Sequence, residues 1–325
     1  MNKFKTAALL AAAAIGGLYG YTRLVEKRSL SSWTVERLLA LSKNTPKTEQ
    51  EYLNFINKYR DISDQPYENP QKYIDYEVKE ITVDDMQTFV WNDKRDPNQK
   101  VILYIHGGGY AAQPLSFQLK AVNHISKELD AKIVFPIYPK IPRYKYKDSI
   151  SKMEQLYKDI LSVSADSSKI TIMGDSAGGG LALGLAYSLR DRQIDQPKDI
   201  ILLSPWLDVT LNNPEIQKYE HLDPMLAVYH LKKMGENWAD GLPYTKDPYV
   251  SPIYGNPKGL GRITMFVGTH EIFYPDVMAF DKKLTDLKID HTTIVGEKMN
   301  HVYPVFPIAE AKEARREIVG IIKKK

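Results

Sequence analysis

One short segment places a serine among residues that have almost no side chain. In residues 174–178 (GDSAG), Ser176 follows an apolar, strand-like run and precedes a run with helical spacing. A G-x-S-x-G sequence between a strand and a helix is typical of a sharp turn that exposes a nucleophilic hydroxyl. We expect the neighbouring Asp175 to brace this turn. A glycine-rich turn with a serine helix cap has the same pattern, so the motif alone leaves both interpretations open.

A second glycine segment, residues 106–109 (HGGG), follows another apolar strand upstream of the serine. Acyl transfer builds negative charge on a carbonyl oxygen, and preorganised backbone N–H groups stabilise that charge. We expect Gly108 and Gly109 to donate these N–H groups, with the amide of Ala177 as a third donor, and His106 to hold the loop in shape. A phosphate-binding loop is disfavoured, because neither a G-K-[ST] nor a dinucleotide G-x-G-x-x-G pattern is present.

A serine nucleophile requires a base, and the chain has seven histidines. The base is expected after the last strand, where it would reach the same edge of the sheet as Ser176. His301, in residues 299–304 (MNHVYP), meets this condition, whereas His291 lies before or within that strand. The sequence therefore predicts His301 as the base.

Residues 268–276 (GTHEIFYPD) offer two carboxylates that could orient this histidine, Glu271 and Asp276. The chain order serine, acid, histidine is the one expected for a strand–turn–helix serine site. Glu271 falls in the loop just past a strand, whereas Asp276 suits the first turn of the next helix. We therefore predict Glu271 as the acid. Asp208 is a third candidate, and for it a helix-cap role is favoured.

The elements that must position these residues alternate between strands and helices along most of the chain. This alternation predicts an α/β fold with a mostly parallel sheet and helices on both faces. Residues 73–83 and 86–93 read as an antiparallel pair at its start. Residues 29–325 are predicted to form one domain. Its segments at about 29–72 and 209–242 do not follow the alternation and are candidates for a helical cap.

Composition excludes several other functions. The chain of 325 residues has no cysteine, which excludes disulfides, thiolate zinc sites and a cysteine nucleophile. The net charge is only +4, and no basic stripe is interleaved with aromatic residues, so we expect no nucleic-acid partner. No metal or cofactor is expected.

The N-terminal residues 1–28 differ in kind from the rest. An uncharged run, Thr6–Thr22, is flanked by Lys5 and Arg23 and would span roughly 25 Å as a helix. We predict that residues 1–22 form a membrane anchor, which makes the protein membrane-anchored or extracytoplasmic. An alanine-rich surface helix on a cytoplasmic protein ranks second. A cleaved signal peptide ranks third, because no A-x-A site follows the apolar core.

Together, these motifs resemble the hormone-sensitive-lipase family of α/β-hydrolases, in its bacterial esterase branch. The resemblance extends from about residue 73 to the C-terminus and also includes residues 204–208 (SPWLD) and 247–252 (DPYVSP). It implies an eight-stranded sheet, a helical cap, and hydrolysis of short-chain carboxylic esters without a cofactor. It also implies Ser176 as nucleophile, His301 as base and Glu271 as acid, although the family usually has an aspartate at the acid position.

The expected function is a serine esterase that acts on a small-molecule ester through an acyl-enzyme. A deacetylase or amidase acting on an acetylated small molecule or sugar is the nearest alternative, because the chemistry would be the same. A non-catalytic binding protein on the same fold is a further alternative, since fold alone does not establish activity. Such proteins typically lose the nucleophile or the base, and this chain has both.

Overall fold

Eight strands form a single sheet at the centre of the protein. The computed structural model describes residues 15–63 and 65–324. The strands are β1 (Lys79–Val83), β2 (Met86–Trp91), β3 (Val101–Ile105), β4 (Lys132–Pro136), β5 (Ile170–Asp175), β6 (Asp199–Leu203), β7 (Arg262–His270) and β8 (His291–Asn300). Their order is β1-β2-β4-β3-β5-β6-β7-β8. Strand β2 is antiparallel to both neighbours, and all other pairs are parallel. The predicted mostly parallel, eight-stranded sheet is confirmed.

The first strand is shorter than the sequence suggested. Residues 73–83 were expected to be extended, but β1 begins only at Lys79, and a 3-10 turn occupies Pro70–Tyr73. The side chain of Gln71 explains the difference. Its amide nitrogen donates to the carbonyl oxygen of Tyr76 at 2.8 Å, and its oxygen accepts from the backbone N–H of Val78 at 2.9 Å. These backbone groups are therefore bonded to a side chain instead of a neighbouring strand.

Helices cover both faces of the sheet. After the N-terminal helix at 15–24, the α-helices of the described residues are α1 (Leu30–Ser42), α2 (Glu49–Ser63), α3 (Ser116–Leu129), α4 (Tyr146–Val163), α5 (Ala177–Asp191), α6 (Val228–Trp238), α7 (Tyr274–Asp286) and α8 (Ala309–Lys323). Helices α4, α5 and α7 pack on one face and α3 and α8 on the other, so two hydrophobic cores flank the sheet.

The central strand β3 is apolar at every position because each of its faces meets a core. In β3, Leu103 and Ile105 contribute to one core, whereas Ile102 and Tyr104 contribute to the other. All five β3 residues are buried. Parallel sheets covered by helices show this continuous apolar pattern. The carboxyl ends of these parallel strands lie at one edge, and the loops that follow them meet there.

The helices of the first segment predicted as a cap element, α1 and α2, lie in different places. Helices α2 and α6 pack together, with the rings of Phe55 and His230 edge-on at 6.2 Å. The Tyr52 hydroxyl donates to the carbonyl oxygen of Lys233 at 3.1 Å, which joins the same two helices. Helix α1 instead packs against α8, and the hydroxyl of Ser29 at its start donates to Glu310 at 2.7 Å.

The N-terminal segment is described only in part. Residues 15–24 are helical, and Ile15, Leu24 and Val25 are exposed. The rest of the predicted anchor, residues 1–14, lies outside the described residues. Within residues 15–63 and 65–324, no helix combines the length and the apolar character needed to cross a bilayer.

Candidate active site

Ser176 lies at the sharp turn between β5 and α5. Its backbone has φ 55° and ψ −124°, a conformation that non-glycine residues rarely adopt and that costs about 1–3 kcal/mol. Two hydrogen bonds hold the turn. The Ser176 N–H donates to the carbonyl of Leu203 at 2.8 Å, and the N–H of Trp206 donates to the Ser176 carbonyl at 2.9 Å. The neighbouring strand β6 and its loop therefore support the strained residue.

The glycines around Ser176 are required by close backbone contact. A Cβ added at Gly178 would overlap the carbonyl oxygen of Ile105, at the end of β3. A Cβ added at Gly174 would overlap the carbonyl oxygen of Gly178. The small residues let α5 begin directly against the strand ends, and this leaves the serine side chain at the edge of the sheet.

The structure brings Ser176, His301 and Glu271 together in one hydrogen-bonded chain. The Ser176 hydroxyl lies 2.9 Å from His301 Nε2. His301 Nδ1 lies 2.6 Å from Glu271 Oε2. Each residue follows a different strand, and all three are buried. With Nδ1 donating to the carboxylate, the lone pair of Nε2 faces the serine hydroxyl.

Two further donors fix the carboxylate. Glu271 Oε1 accepts from the hydroxyl of Ser204 at 2.6 Å and from the N–H of Gly268 at 2.7 Å. Both carboxylate oxygens are thus occupied, one by the histidine and one by these donors. Glu271 thus reaches His301 with both of its oxygens bonded, although its side chain is one methylene longer than that of aspartate.

Carboxylates surround the imidazole of His301. Burial by itself lowers the pKa of His301, because it disfavours the charged form. Glu271 opposes this through its charge and its hydrogen bond, and Asp223 and Asp175 add to the effect. Together they raise the pKa of His301 above its ordinary value. The site therefore stabilises the imidazolium that would form when the serine loses its proton.

Asp175 braces the glycine loop. Its Oδ1 accepts from the Tyr104 hydroxyl at 2.7 Å and from the N–H of Gly107 at 3.0 Å. Its Oδ2 accepts from the side-chain amide of Gln118 at 2.8 Å. Burial raises the pKa of Asp175, and these three hydrogen bonds oppose that rise. The residue before the serine thus fixes the loop opposite it.

His106 is enclosed in this loop. Its ring stacks between Phe135 and Tyr138, with centroid distances of 5.9 and 4.6 Å. Its Nδ1 donates to the carbonyl of Gly107 at 2.7 Å. Burial lowers the pKa of His106 to about 3, so the ring is neutral at ordinary pH. These contacts suit a residue that shapes the loop.

Three backbone amides near the serine have no internal acceptor. In the part of the chain that the structure describes, the N–H groups of Gly108, Gly109 and Ala177 donate to no other residue. Gly108 and Gly109 have φ of 124° and 62°, which a residue with a side chain rarely adopts. Free amides beside a nucleophilic hydroxyl, one of them at a helix N-terminus, are available to bind a ligand oxygen.

Above the serine is a cavity of ≈ 240 Å³. Ser176, His301 and the glycine loop form its floor, and side chains of α2 and α6 form a wall. The side chains in that wall are Phe55, Tyr59, His230, Leu231 and Met234. Most of the lining is apolar, which suits an organic ligand with few polar groups.

The alternative acids lie elsewhere. Asp276 is in the first turn of α7, where its Oδ1 accepts from the side chain of Asn213 at 2.9 Å. Asp208 accepts from the N–H of Thr210 and from the hydroxyl of Tyr254, each at 2.8 Å. Neither of these carboxylates contacts His301. The geometry places Glu271 alone, among the three candidates, beside the histidine.

The comparison with known families agrees with this geometry. The profile of the alpha/beta hydrolase fold family matches residues 102–305, which include the glycine loop, the serine turn, Glu271 and His301. The chain belongs to the alpha/beta hydrolase fold family. This membership confirms the family and the fold that the motifs predicted.

Individual members of the alpha/beta hydrolase fold family resemble the chain over most of its length. An esterase of Acinetobacter venetianus is 27% identical over 67% of this chain and 73% of the relative. An acetyl-hydrolase of Streptomyces hygroscopicus is 26% identical over 71% of this chain and 77% of the relative.

Solved structures of alpha/beta hydrolases are also similar to this chain over most of its length. A Staphylococcus aureus protein described as a candidate esterase has a TM-score of 0.82 and 31% identity, covering 86% of this chain and 95% of that one. The esterase EstE5, soaked with p-nitrophenyl butyrate, has a TM-score of 0.78 and 25% identity, covering 91% of this chain and 98% of that one.

The sequence predicts no role for two residues of this site, Ser204 and Asp223. Ser204 contacts Glu271, as described above. Asp223 is buried and accepts from the N–H groups of Met225 and Leu226, each at 2.8 Å, and of Ile272 at 3.0 Å. Burial raises the pKa of Asp223 to about 6, while the nearby His301 imidazole opposes that rise. The position of Ser204 directly after a predicted strand could have indicated that it lies at the same sheet edge as Ser176.

Proposed function

We propose that this α/β-hydrolase is a serine esterase that cleaves carboxylic esters with short acyl chains. The observation that supports this most is the hydrogen-bonded chain Ser176–His301–Glu271 on the floor of the cavity, facing three free amides. Relatives named esterase and acetyl-hydrolase support the same reaction class. In this proposal Ser176 is the nucleophile, His301 the base and Glu271 the acid that orients it.

The contacts of these residues support a two-step reaction. His301 Nε2 accepts the hydroxyl proton as Ser176 Oγ attacks the ester carbonyl. The carbonyl oxygen gains negative charge, and the amides of Gly108, Gly109 and Ala177 form the oxyanion hole that stabilises it. His301 then returns the proton to the departing alcohol, which leaves an acyl group on Ser176. Water, deprotonated by the same nitrogen, attacks the acyl-enzyme and releases the acid.

The size of the cavity supports short acyl chains. Its volume of ≈ 240 Å³ lies below the usual range of about 300–1,000 Å³ for ligand pockets. Bulky side chains, including Phe55, Tyr59 and Met234, limit its extension. The acetyl-hydrolase relative makes acetyl esters a specific second candidate, and the same residues would act on them.

The function is tested by labelling and turnover. A fluorophosphonate probe should label the protein but not Ser176→Ala, which keeps a small side chain at the turn. Hydrolysis of p-nitrophenyl acetate, butyrate and palmitate should show the highest kcat/KM for one of the two short esters. Labelling that survives in Ser176→Ala would exclude this nucleophile, and a preference for palmitate would exclude the short-chain assignment.

We further propose that residues 1–22 attach the enzyme to a membrane. The uncharged run between Lys5 and Arg23 supports this, as does the exposure of Ile15 and Leu24. The full chain should sediment with membranes after expression, whereas a variant that lacks residues 1–22 should remain in the supernatant and stay active. Recovery of the full chain in the supernatant would favour a surface helix instead.

A further inference from the structure

His230 is a buried titratable residue that the proposed mechanism does not use. It belongs to α6, is only 6% exposed and borders the same cavity as Ser176 and His301. Its Nδ1 is enclosed by protein and, among the described residues, has no hydrogen-bond partner. Its ring lies edge-on to Phe55 at 6.2 Å, a contact that provides no hydrogen bond to Nδ1. Buried polar groups without a partner are uncommon and often mark a ligand site.

The charge state of His230 restricts what it can bind. Burial lowers the pKa of His230 to about 4, and the nearby Lys43 acts in the same direction. The imidazole is therefore neutral at ordinary pH, with one N–H donor and one acceptor nitrogen. A neutral ring does not attract a carboxylate or a phosphate by charge. A hydroxyl group matches it well, because a hydroxyl can accept from N–H or donate to the other nitrogen.

A second residue that lines this cavity, Gln113, also has an unpaired polar atom among the described residues. The side-chain amide nitrogen of Gln113 donates to the carbonyl of Gln65 at 2.9 Å, which leaves its Oε1 buried with no partner among the described residues. Gln113 also lines the cavity. A largely apolar cavity is thus lined by two side chains that each carry a buried polar atom without a partner among the described residues. A purely hydrocarbon acyl chain would supply no hydrogen-bond partner to either side chain.

We infer that His230 forms a specificity subsite for esters that have a hydroxyl group on the acyl or the alcohol part. The inference rests on the proposed esterase function and deepens it by naming a substrate class. The residue would bind substrate without entering the proton transfers, which belong to His301. Its contribution should therefore appear as a preference between two substrates of equal size.

Two pairs of isosteric esters test this subsite. Ethyl 3-hydroxybutyrate and ethyl 3-methylbutyrate differ at the acyl part, and 2-hydroxyethyl butyrate and propyl butyrate differ at the alcohol part. Acid release at constant pH gives kcat/KM for each ester, and the ratio within a pair does not depend on the fraction of active enzyme. In at least one pair, His230→Leu should lower the hydroxyl preference about tenfold, the value of one hydrogen bond.

Two control variants complete the design. His230→Gln keeps a donor and an acceptor, so it should retain more of the preference than His230→Leu. His124→Leu alters a histidine that borders a different cavity, and its ratios should equal those of the wild type. If the wild type shows no hydroxyl preference in either pair, or if His230→Leu keeps it, the inference is wrong. Hydrolysis of propyl butyrate by the wild type reports separately on the esterase function.

Discussion

The hydroxyl of Ser204 donates a hydrogen bond of 2.6 Å to Glu271, on the carboxylate oxygen that faces away from His301. The same hydroxyl accepts from the N–H of Val302 at 2.9 Å. Ser204 directly follows β6, whereas Glu271 and Val302 belong to the loops after β7 and β8. One side chain therefore joins the loop of the proposed acid to the loop of the proposed base.

Replacing Ser204 with alanine should reduce kcat with little change in KM. The change leaves a buried N–H without an acceptor and a carboxylate oxygen with one donor fewer, which costs about 1–3 kcal/mol. Misplacement of Glu271 would then lower kcat by about 10- to 100-fold. Ser188→Ala, which removes another buried hydroxyl bonded to Glu154, is the matched control. Steady-state kinetics on butyrate measures both variants, and an unchanged kcat in Ser204→Ala would contradict the positioning role.

Glu271→Gln and Asp276→Asn should differ sharply in turnover. Glutamine keeps the size of Glu271 but removes the charge that stabilises the imidazolium, so kcat should fall by orders of magnitude, about 10⁴-fold in comparable triads. Asp276 contacts Asn213 instead, and burial raises the pKa of Asp276 to about 7. Because Asp276 does not contact His301, asparagine should leave kcat nearly unchanged. If Asp276→Asn lost most of its kcat and Glu271→Gln kept it, Asp276 would be the acid.

The decrease in activity at acid pH should report the protonation of His301. Its carboxylate neighbours raise the pKa of His301 above its ordinary value, so the inactive protonated form persists to a higher pH. We therefore expect kcat/KM to fall, as the pH is lowered, with a midpoint above about 6.5. Glu271→Gln removes the charge that most raises the pKa of His301, whereas burial continues to lower that pKa. The midpoint of the residual activity should therefore move to lower pH. A profile that stays flat down to pH 4 would exclude a histidine base.

The arrangement at the sheet edge could be predicted because it depends on local patterns and strand direction. The glycines in the sequence predict the turn that positions Ser176. The positions of His301 and Glu271 follow from their places directly after strands. Parallel strands bring their carboxyl ends to one edge, so residues far apart in the chain share a site. The structure places all three there in hydrogen-bonded contact.

The remaining features depend on tertiary packing that has no local pattern. The amphipathic spacing of α1 and α2 predicts helices but not which surface each helix covers, and only α2 lines the cavity. The contacts of Ser204 and Asp223 have no sequence signature, because their partners come from distant loops. The side chain of Gln71 likewise shortens β1 through contacts that alternating hydrophobicity does not reveal.

Met234 should limit the length of the acyl chain. Its side chain lies against Gly109, where an added Cβ would be 3.4 Å from its sulfur and even closer to its terminal methyl, and it borders the cavity. Met234→Ala removes this bulk, and each additional methylene then buried would gain about 0.8 kcal/mol, or roughly fourfold in kcat/KM. The ratio of kcat/KM for p-nitrophenyl octanoate to that for the butyrate should therefore rise. Met234→Leu, which nearly conserves volume, should leave the ratio close to that of the wild type. A ratio that is equal in all three proteins would show that the acyl chain does not extend past Met234.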